Sequence, residues 1–341
     1  MASKVKLSVL DQSPVSRGSV AADAIGHTLA LARHCEQLGY QRYWLSEHHN
    51  SNSIVGSAPE VLMAAIAATT RRIRVGSAGV MLPHYSALKV AEQFRVLEAI
   101  APGRIDLGLG RAPGSDRLTA RALNPHASAS AEDFPRQIVD LQHWLEGKRM
   151  PEGHPFRTIT AQPQGPTNPE MWILGSSAYG AQLAAHLGLP YAFAYFFSDG
   201  EGVEQALALY RQNYRPSERF PVPQATICVW ALAADSEAEA QRQLMTREHW
   251  RVRFEQGLLG PLVSPEEAAA YPYTGAETDR IARLRSNALV GTGPQVAGRI
   301  GALAGSLGLD EIVVNTWAFD AGVRQHSYAL LAQAFNLSPD T

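Results

Sequence analysis

Only two cysteines, Cys35 and Cys228, occur in 341 residues, far apart and in no C-x-x-C pairing. This argues against a disulfide framework or a cysteine-built metal centre and predicts reduced core thiols of a cytoplasmic protein. No apolar run approaches the length needed to span a bilayer. The amino-terminal Met-Ala-Ser-Lys-Val-Lys-Leu enters a strand pattern directly, without the charged region, apolar stretch and cleavage site of a leader. Neither charge sign dominates: 30 Lys and Arg face 32 Asp and Glu, for a formal net charge of -2. No basic block is interleaved with aromatics, so neither nucleic acid nor an anionic membrane is an expected partner. A small neutral or weakly charged molecule is.

What is present is a steady alternation of two apolar periods in a chain that is 45% hydrophobic and 18% charged. Strand-like runs cover 5–11, 41–46, 73–82, 104–109, 171–174, 191–197, 225–233 and 311–317. Helical periods cover 22–38, 59–70, 87–100, 132–146, 178–187, 203–214, 236–254 and 323–335. This series, with no low-complexity linker, predicts one α/β domain over residues 1–341, a (β/α)8 TIM barrel. A doubly wound sheet is the alternative, and the length favours the barrel. Three long connections, 112–131, 148–170 and 257–293, are its insertions. The first and third leave from the catalytic face, whereas the middle one returns from helix to strand and reads as structural.

Four clusters carry chemistry. Glu47, His48 and His49 follow the strand-like Tyr43-Trp44-Leu45-Ser46, at the end where barrel catalytic groups collect. Neighbours on an extended chain point to opposite faces, so the adjacent histidines cannot both aim at one ion, and no metal site is expected. The residues serve either as a polar pocket with one imidazole as base or hydrogen-bond partner, or as satisfiers of loop backbone. Leu174-Gly175-Ser176-Ser177-Ala178-Tyr179-Gly180 runs from strand through a small turn into a helix, a phosphate cradle or a plain capped turn. It misses the hydrolase elbow because Tyr179 stands where glycine is required. Gly108-Leu109-Gly110-Arg111-Ala112-Pro113-Gly114 lacks the dinucleotide spacing, and Pro113 interrupts the helix start. Arg111 there stands on the strand next to the serine turn and is placed to pair with the same anion. Gly76-Ser77-Ala78-Gly79 puts small residues within a strand, making room either for a flat cofactor or for a large neighbouring side chain.

The strings Tyr43-Trp44-Leu45-Ser46-Glu47-His48-His49, Val75-Gly76-Ser77-Ala78-Gly79-Val80-Met81-Leu82-Pro83, Pro102-Gly103-Arg104-Ile105-Asp106-Leu107-Gly108-Leu109-Gly110-Arg111 and Ile173-Leu174-Gly175-Ser176-Ser177 together resemble the bacterial luciferase-like monooxygenase family. The resemblance runs from Lys6 to about Phe335 and is nearest the branch with the Leu-Gly-Ser-Ser turn. It implies a barrel that takes reduced FMN from a separate NAD(P)H-dependent flavin reductase. Oxygen then reacts through a C4a-peroxyflavin to oxygenate a small organic substrate. It further implies phosphate contacts at Arg111, Gly175, Ser176, Ser177 and Gly180, with Ser77, Ala78 and Gly79 under the flavin and a cis peptide at Ala78-Gly79. His48 corresponds to the catalytic imidazole, with Glu47 and His49 beside flavin or substrate. Residues 257–293 take the place of a mobile active-site segment, and a homodimer through the helices after strands two and three is expected.

Two departures limit the resemblance. Luciferase has a glutamate where this turn reads Ser176, and the branch commonly has a histidine where this chain has Tyr195. Light emission is therefore not implied. Tyr195, Phe196, Phe197 and Trp317 are the candidate substrate-pocket aromatics at strand ends, with aromatic core packing as the alternative for each. The competing functions are a deazaflavin-dependent hydride-transfer enzyme, for which no basic groove is evident, a non-catalytic flavin-binding protein and, more distantly, a serine hydrolase.

Overall fold

Side chains on a strand alternate between two faces, so a strand buried at every position is covered on both. Arg42–Leu45 is such a strand. The computed structural model, which describes residues 5–112 and 114–339, shows what covers it: a closed parallel barrel inside a ring of helices. Pro113, expected to break a helix start, lies outside the described residues. The elements run β1 (Lys6–Asp11), α1 (Ala21–Leu38), β2 (Arg42–Leu45), α2 (Pro59–Thr69), β3 (Arg74–Met81), α3 (Ala87–Ile100), β4 (Ile105–Gly110), α4 (Arg117–Leu123), α5 (Ala127–Glu132), α6 (Phe134–Glu146), β5 (Glu170–Gly175) and α7 (Ala178–Leu187). They continue as β6 (Tyr191–Phe193), α8 (Tyr195–Ser198), α9 (Val203–Asn213), β7 (Ala225–Ala234), α10 (Glu237–Glu255), α11 (Pro265–Ala270), α12 (Gly275–Ser286), β8 (Leu289–Thr292), α13 (Gly293–Leu307), β9 (Glu311–Asn315) and α14 (Ala321–Ala334).

Strands β1 to β7 pair in order, and β9 joins β7 to β1 to close eight strands into the expected TIM barrel. The outward residues, among them Leu7, Val9, Tyr43, Val75, Leu107, Ile173 and Ile227, form the main core with the helices. The inward residues form layers. At the amino ends of the strands, Arg42 donates to Asp106 at 2.9 Å, Glu170 at 3.1 Å and Glu311 at 3.0 Å. Arg74 adds bonds to Asp106 at 2.5 Å and Glu170 at 3.3 Å. Trp44 Nε1 donates to Asp106 and Trp172 Nε1 to Glu170, each at 2.9 Å. Burial raises the Asp106 pKa, but Arg42 and Arg74 outweigh it and hold the carboxyl below its ordinary value. Above this floor Leu10, Trp44, Trp172, Ala192, Cys228 and Val313 fill the barrel, and the space above them is open.

Three expectations on element boundaries change. The apolar run over 191–197 is not one strand: β6 ends at Phe193 and α8 begins at Tyr195. A short apolar run has no period long enough to separate strand from buried helical turn. The insertion over 257–293 folds as α11, α12 and a ninth strand, β8, which pairs with the overhanging Ala231–Ala234 of β7 outside the barrel. The insertion over 112–131 carries α4 and α5. The connection over 148–169 is structural as expected, because the buried Arg95 of α3 donates to the carbonyls of Pro163 at 2.7 Å and Thr167 at 3.0 Å and to Asn168 Oδ1 at 2.6 Å.

Removing one partner of a buried ion cluster leaves uncompensated charge and typically costs about 3–5 kcal/mol. Arg42→Met is expected to lower unfolding stability by that order in urea titrations, whereas Arg136→Ala, in an exposed pair, is expected to leave the midpoint unchanged.

Candidate active site

The alternation that points Arg42 and Trp44 inward continues past β2 and sorts the Glu47-His48-His49 cluster. His48 faces the barrel mouth and Glu47 faces away. Glu47 is 1% exposed and accepts hydrogen bonds from Met81 N at 3.0 Å, Tyr85 Oη at 2.7 Å and His49 Nε2 at 2.7 Å. It ties the end of β2 to the end of β3 and touches neither cavity described below. The sequence sets it beside flavin or substrate, whereas the fold spends its carboxylate on three donors of the chain itself. His48 Nδ1 lies 3.1 Å from Ser46 Oγ, which leaves Nε2 to the cavity. Burial pushes the His48 imidazole down to about 4, against Glu47, which pulls it up. At neutral pH the ring is neutral.

A cavity of about 370 Å³ opens above the inner layer, within the range of roughly 300–1,000 Å³ usual for small-molecule and cofactor sites. Ala78, Gly79, Arg111, Gly175, Ser176, Ser177 and Gly180 line it with His48, Leu174 and Tyr179. The Ala78-Gly79 peptide is cis. Gly79 has no room for a side chain, since a Cβ there would stand 2.7 Å from Gly108 O and 2.6 Å from Leu174 Cδ1. Gly76 is small for a different reason: its Cβ would meet Asp106 at 2.6 Å and Trp44 at 2.7 Å, so it accommodates large neighbours and no ligand. Ser77 is also corrected, because it is fully buried and exchanges hydrogen bonds with Gly108 of β4, 2.9 Å to the carbonyl and 3.1 Å from the amide.

At one end of the cavity α7 begins. Its N-cap, Ser177, is extended and makes no side-chain capping bond, so the first-turn N–H groups and the exposed hydroxyls of Ser176 and Ser177 are left for a ligand. Arg111 stands beside them with its guanidinium carbon 4.0 Å from the Tyr179 ring centroid. Uncapped donors, two hydroxyls and one free guanidinium fit a phosphate monoester, and the long apolar cavity with a small-residue wall fits a flat ring system attached to it. The residues present therefore suit FMN.

A second cavity of about 360 Å³ adjoins the first and shares Gln12, His48, Gly114, Phe196 and Phe197 with it. Its other walls include His49, Trp230, Arg247, Trp250, Phe254, Asn315 and Trp317. Trp250 stacks on Phe254 with centroids 4.9 Å apart and meets Trp317 edge-on at 4.6 Å. Phe196, Phe197 and Trp317 line this cavity, whereas Tyr195 packs against the outer core and under Gly200. Trp230, Arg247 and Trp250 were missed. Arg247, Trp250, Arg251 and Phe254 follow helical spacing along α10, an aromatic stripe that contains arginine. Among the described residues no group of His, Cys, Asp and Glu is placed to hold a metal ion.

The family model described as luciferase-like monooxygenase matches residues 5–311. The chain belongs to the luciferase-like monooxygenase family. It is 41% identical to the luciferase-like monooxygenase of Escherichia coli strain K12, over 96% of each chain. It is 37% identical to the N-acetyl-S-alkylcysteine monooxygenase of Bacillus subtilis, over 97% of this chain and 98% of that one. The structure of apo-MsnO8 superposes with a TM-score of 0.89 at 37% identity, covering 98% of this chain and 100% of that one. At 18% and 13% identity the fold alone is shared with the oxygenating constituent of 3,6-diketocamphane monooxygenase in complex with FMN, TM-score 0.71, and with an F420-dependent secondary alcohol dehydrogenase, TM-score 0.68.

In this luciferase-like monooxygenase the depressed His48 pKa has a definite sign. The unfolded chain, with the ordinary value of 6.5, takes up the proton before the folded one does. The stability held by neutral His48 is thus complete above about 6.5 and is lost as pH falls towards 4. The ring, followed by NMR, is expected to titrate near 4; a midpoint at the ordinary value contradicts the burial argument.

Proposed function

We propose that the first cavity binds FMN in its reduced form and the second binds a small organic substrate, which is oxygenated where the cavities meet. The observation that carries this reading is the boundary itself. Free Nε2 of His48 and the rings of Phe196 and Phe197 stand between an anion cradle with its apolar trough and an aromatic chamber. Arg111, Ser176, Ser177 and the start of α7 hold the phosphate. Ala78 and Gly79 would hold the ring, with Leu174 and Val313 in the apolar wall. Bound there in its reduced form, with an NAD(P)H-dependent flavin reductase as its source, FMN would supply the two electrons by which one atom of O2 becomes water while the other passes to the substrate.

The chain's own residues arrange the chemistry. His48, neutral and fixed through Nδ1, offers Nε2 to hold or move one proton at the boundary. Glu47 acts through others, fixing the backbone at Met81 that follows the cis peptide. The aromatic rings exclude water from the oxygen-transfer step. The deazaflavin reading finds less support, since among the described residues Arg111 is the one arginine in the first cavity's wall and there is no lysine. A homodimer is part of the proposal. Val61, Ala65 and Ala68 make an exposed apolar stripe on α2 beside exposed Val96 and Ile100 of α3, and sedimentation at the mass of one chain would remove it.

Anaerobic titrations with reduced FMN and reduced riboflavin test the cradle. FMN is expected to bind at least roughly tenfold more tightly, the order of charge-assisted hydrogen bonds to one phosphate. Arg111→Ala with Ser177→Ala is expected to abolish that preference while leaving riboflavin binding intact. Equal affinities in the wild-type protein would overturn the assignment.

A further inference from the structure

The wall of the second cavity carries more hydrogen-bond donors than the chain itself uses. Arg247, in the middle of α10, is 8% exposed and stacks with its guanidinium carbon 4.2 Å from the Trp230 ring centroid. It lines the cavity, and no carboxylate among the described residues comes within ion-pair distance of it. The adjacent Glu248 is occupied by Arg285, at 2.9 Å and 2.6 Å, and Glu255 by Arg251 and Arg280. The one acid in the cavity wall, Asp116, gives one oxygen to the backbone amides of Leu118 and Thr119 and the other to the Thr119 hydroxyl and Asn50.

Three indole donors are unpaired as well, with no surface open to the cavity. The Nε1 atoms of Trp230, Trp250 and Trp317 are buried without an acceptor, and all three indoles belong to the same wall. A buried polar group without a partner is costly, and a buried unpaired cation more so. Burial is the largest influence on the Arg247 pKa and, with Arg251 and Arg280, lowers it to about 10 against the pull of Asp199 and Glu248. The guanidinium therefore stays charged at neutral pH. An unpaired guanidinium on a wall rich in aromatic rings describes the complement of a singly negative headgroup on an apolar body.

We propose that the second cavity takes an apolar organic acid, an aryl or long-chain alkyl carboxylate whose headgroup docks on Arg247 while its hydrocarbon lies among Trp230, Trp250, Phe254 and Trp317. The assignment deepens the monooxygenase reading by naming the substrate class, and it rests on that reading only for the oxygenation step. Arg247 is thereby a specificity residue, placed away from the phosphate cradle at Arg111.

The test is equilibrium binding, followed by tryptophan fluorescence and calorimetry, of two matched pairs: hydrocinnamate with hydrocinnamyl alcohol, and octanoate with octanol. It is run on the full-length protein with and without FMN. In the wild-type protein at least one acid is expected to bind roughly tenfold or more tightly than its alcohol, the order of a charge-assisted bond. Arg247→Met is expected to remove that preference and leave alcohol binding within a few-fold. Arg247→Lys is expected to retain part of it. If Arg247→Met does not fold, the wild-type comparison and Arg247→Lys still decide, a preference unchanged in Arg247→Lys counting against the proposal. Neither acid binding better than its alcohol, or an acid preference that survives Arg247→Met, overturns the proposal. Acid preference in a protein that fails to bind FMN would leave this inference standing and sink the flavin reading, and the reverse pattern would do the opposite.

Discussion

Everything at the barrel mouth depends on the ion cluster that closes the floor. Arg42 is held by carboxylates from β4, β5 and β9, so four strand starts are fixed to one guanidinium. Such a cluster offsets its own desolvation only when nearly every donor and acceptor is used. Here the indoles of Trp44 and Trp172 take part of the remaining capacity of Asp106 and Glu170. Those same indoles begin the apolar layer above. A sealed floor and a filled middle leave one opening, at the carboxyl ends of the strands.

Along β2 and its continuation an alternation of faces distributes the work. Along the chain from Arg42, each second residue is inward: Trp44 in the apolar layer, Ser46 and His48 at the cavity. The residues between face the helices, and Glu47 belongs to them. The two neighbours thus differ in kind: His48 presents a ring nitrogen to the ligand space, while Glu47 is spent on three donors from its own fold. The same rule separates Ala78, which faces the cavity, from Ser77, which binds β4.

The barrel, its strand order and the small-residue turn from β5 into α7 were legible because each rests on a local pattern: period two, period 3.6, or a strand running through small residues into a helix. Glu47 and Ser77 were misplaced because resemblance assigns a neighbourhood, whereas the face is decided by counting alternation from the barrel interior. The helices of the 257–293 insertion carry a start signal in the sequence itself. Ser264 with Glu267 and Thr274 with Glu277 are capping boxes written in sequence. Arg247 was beyond reach by composition, since α10 is rich in charge and reads as a surface helix until β7 and β9 bring Trp230 and Trp317 against it.

On the proposed function this mouth holds reduced FMN for reaction with oxygen in a cavity shielded from water. The most direct measurement mixes the anaerobic complex of protein and reduced FMN with oxygenated buffer and follows the return of oxidised-flavin absorbance. The account predicts a return slower than that of free reduced FMN, with the rate altered in His48→Ala. Return at the rate of the free flavin, with or without His48, would contradict it.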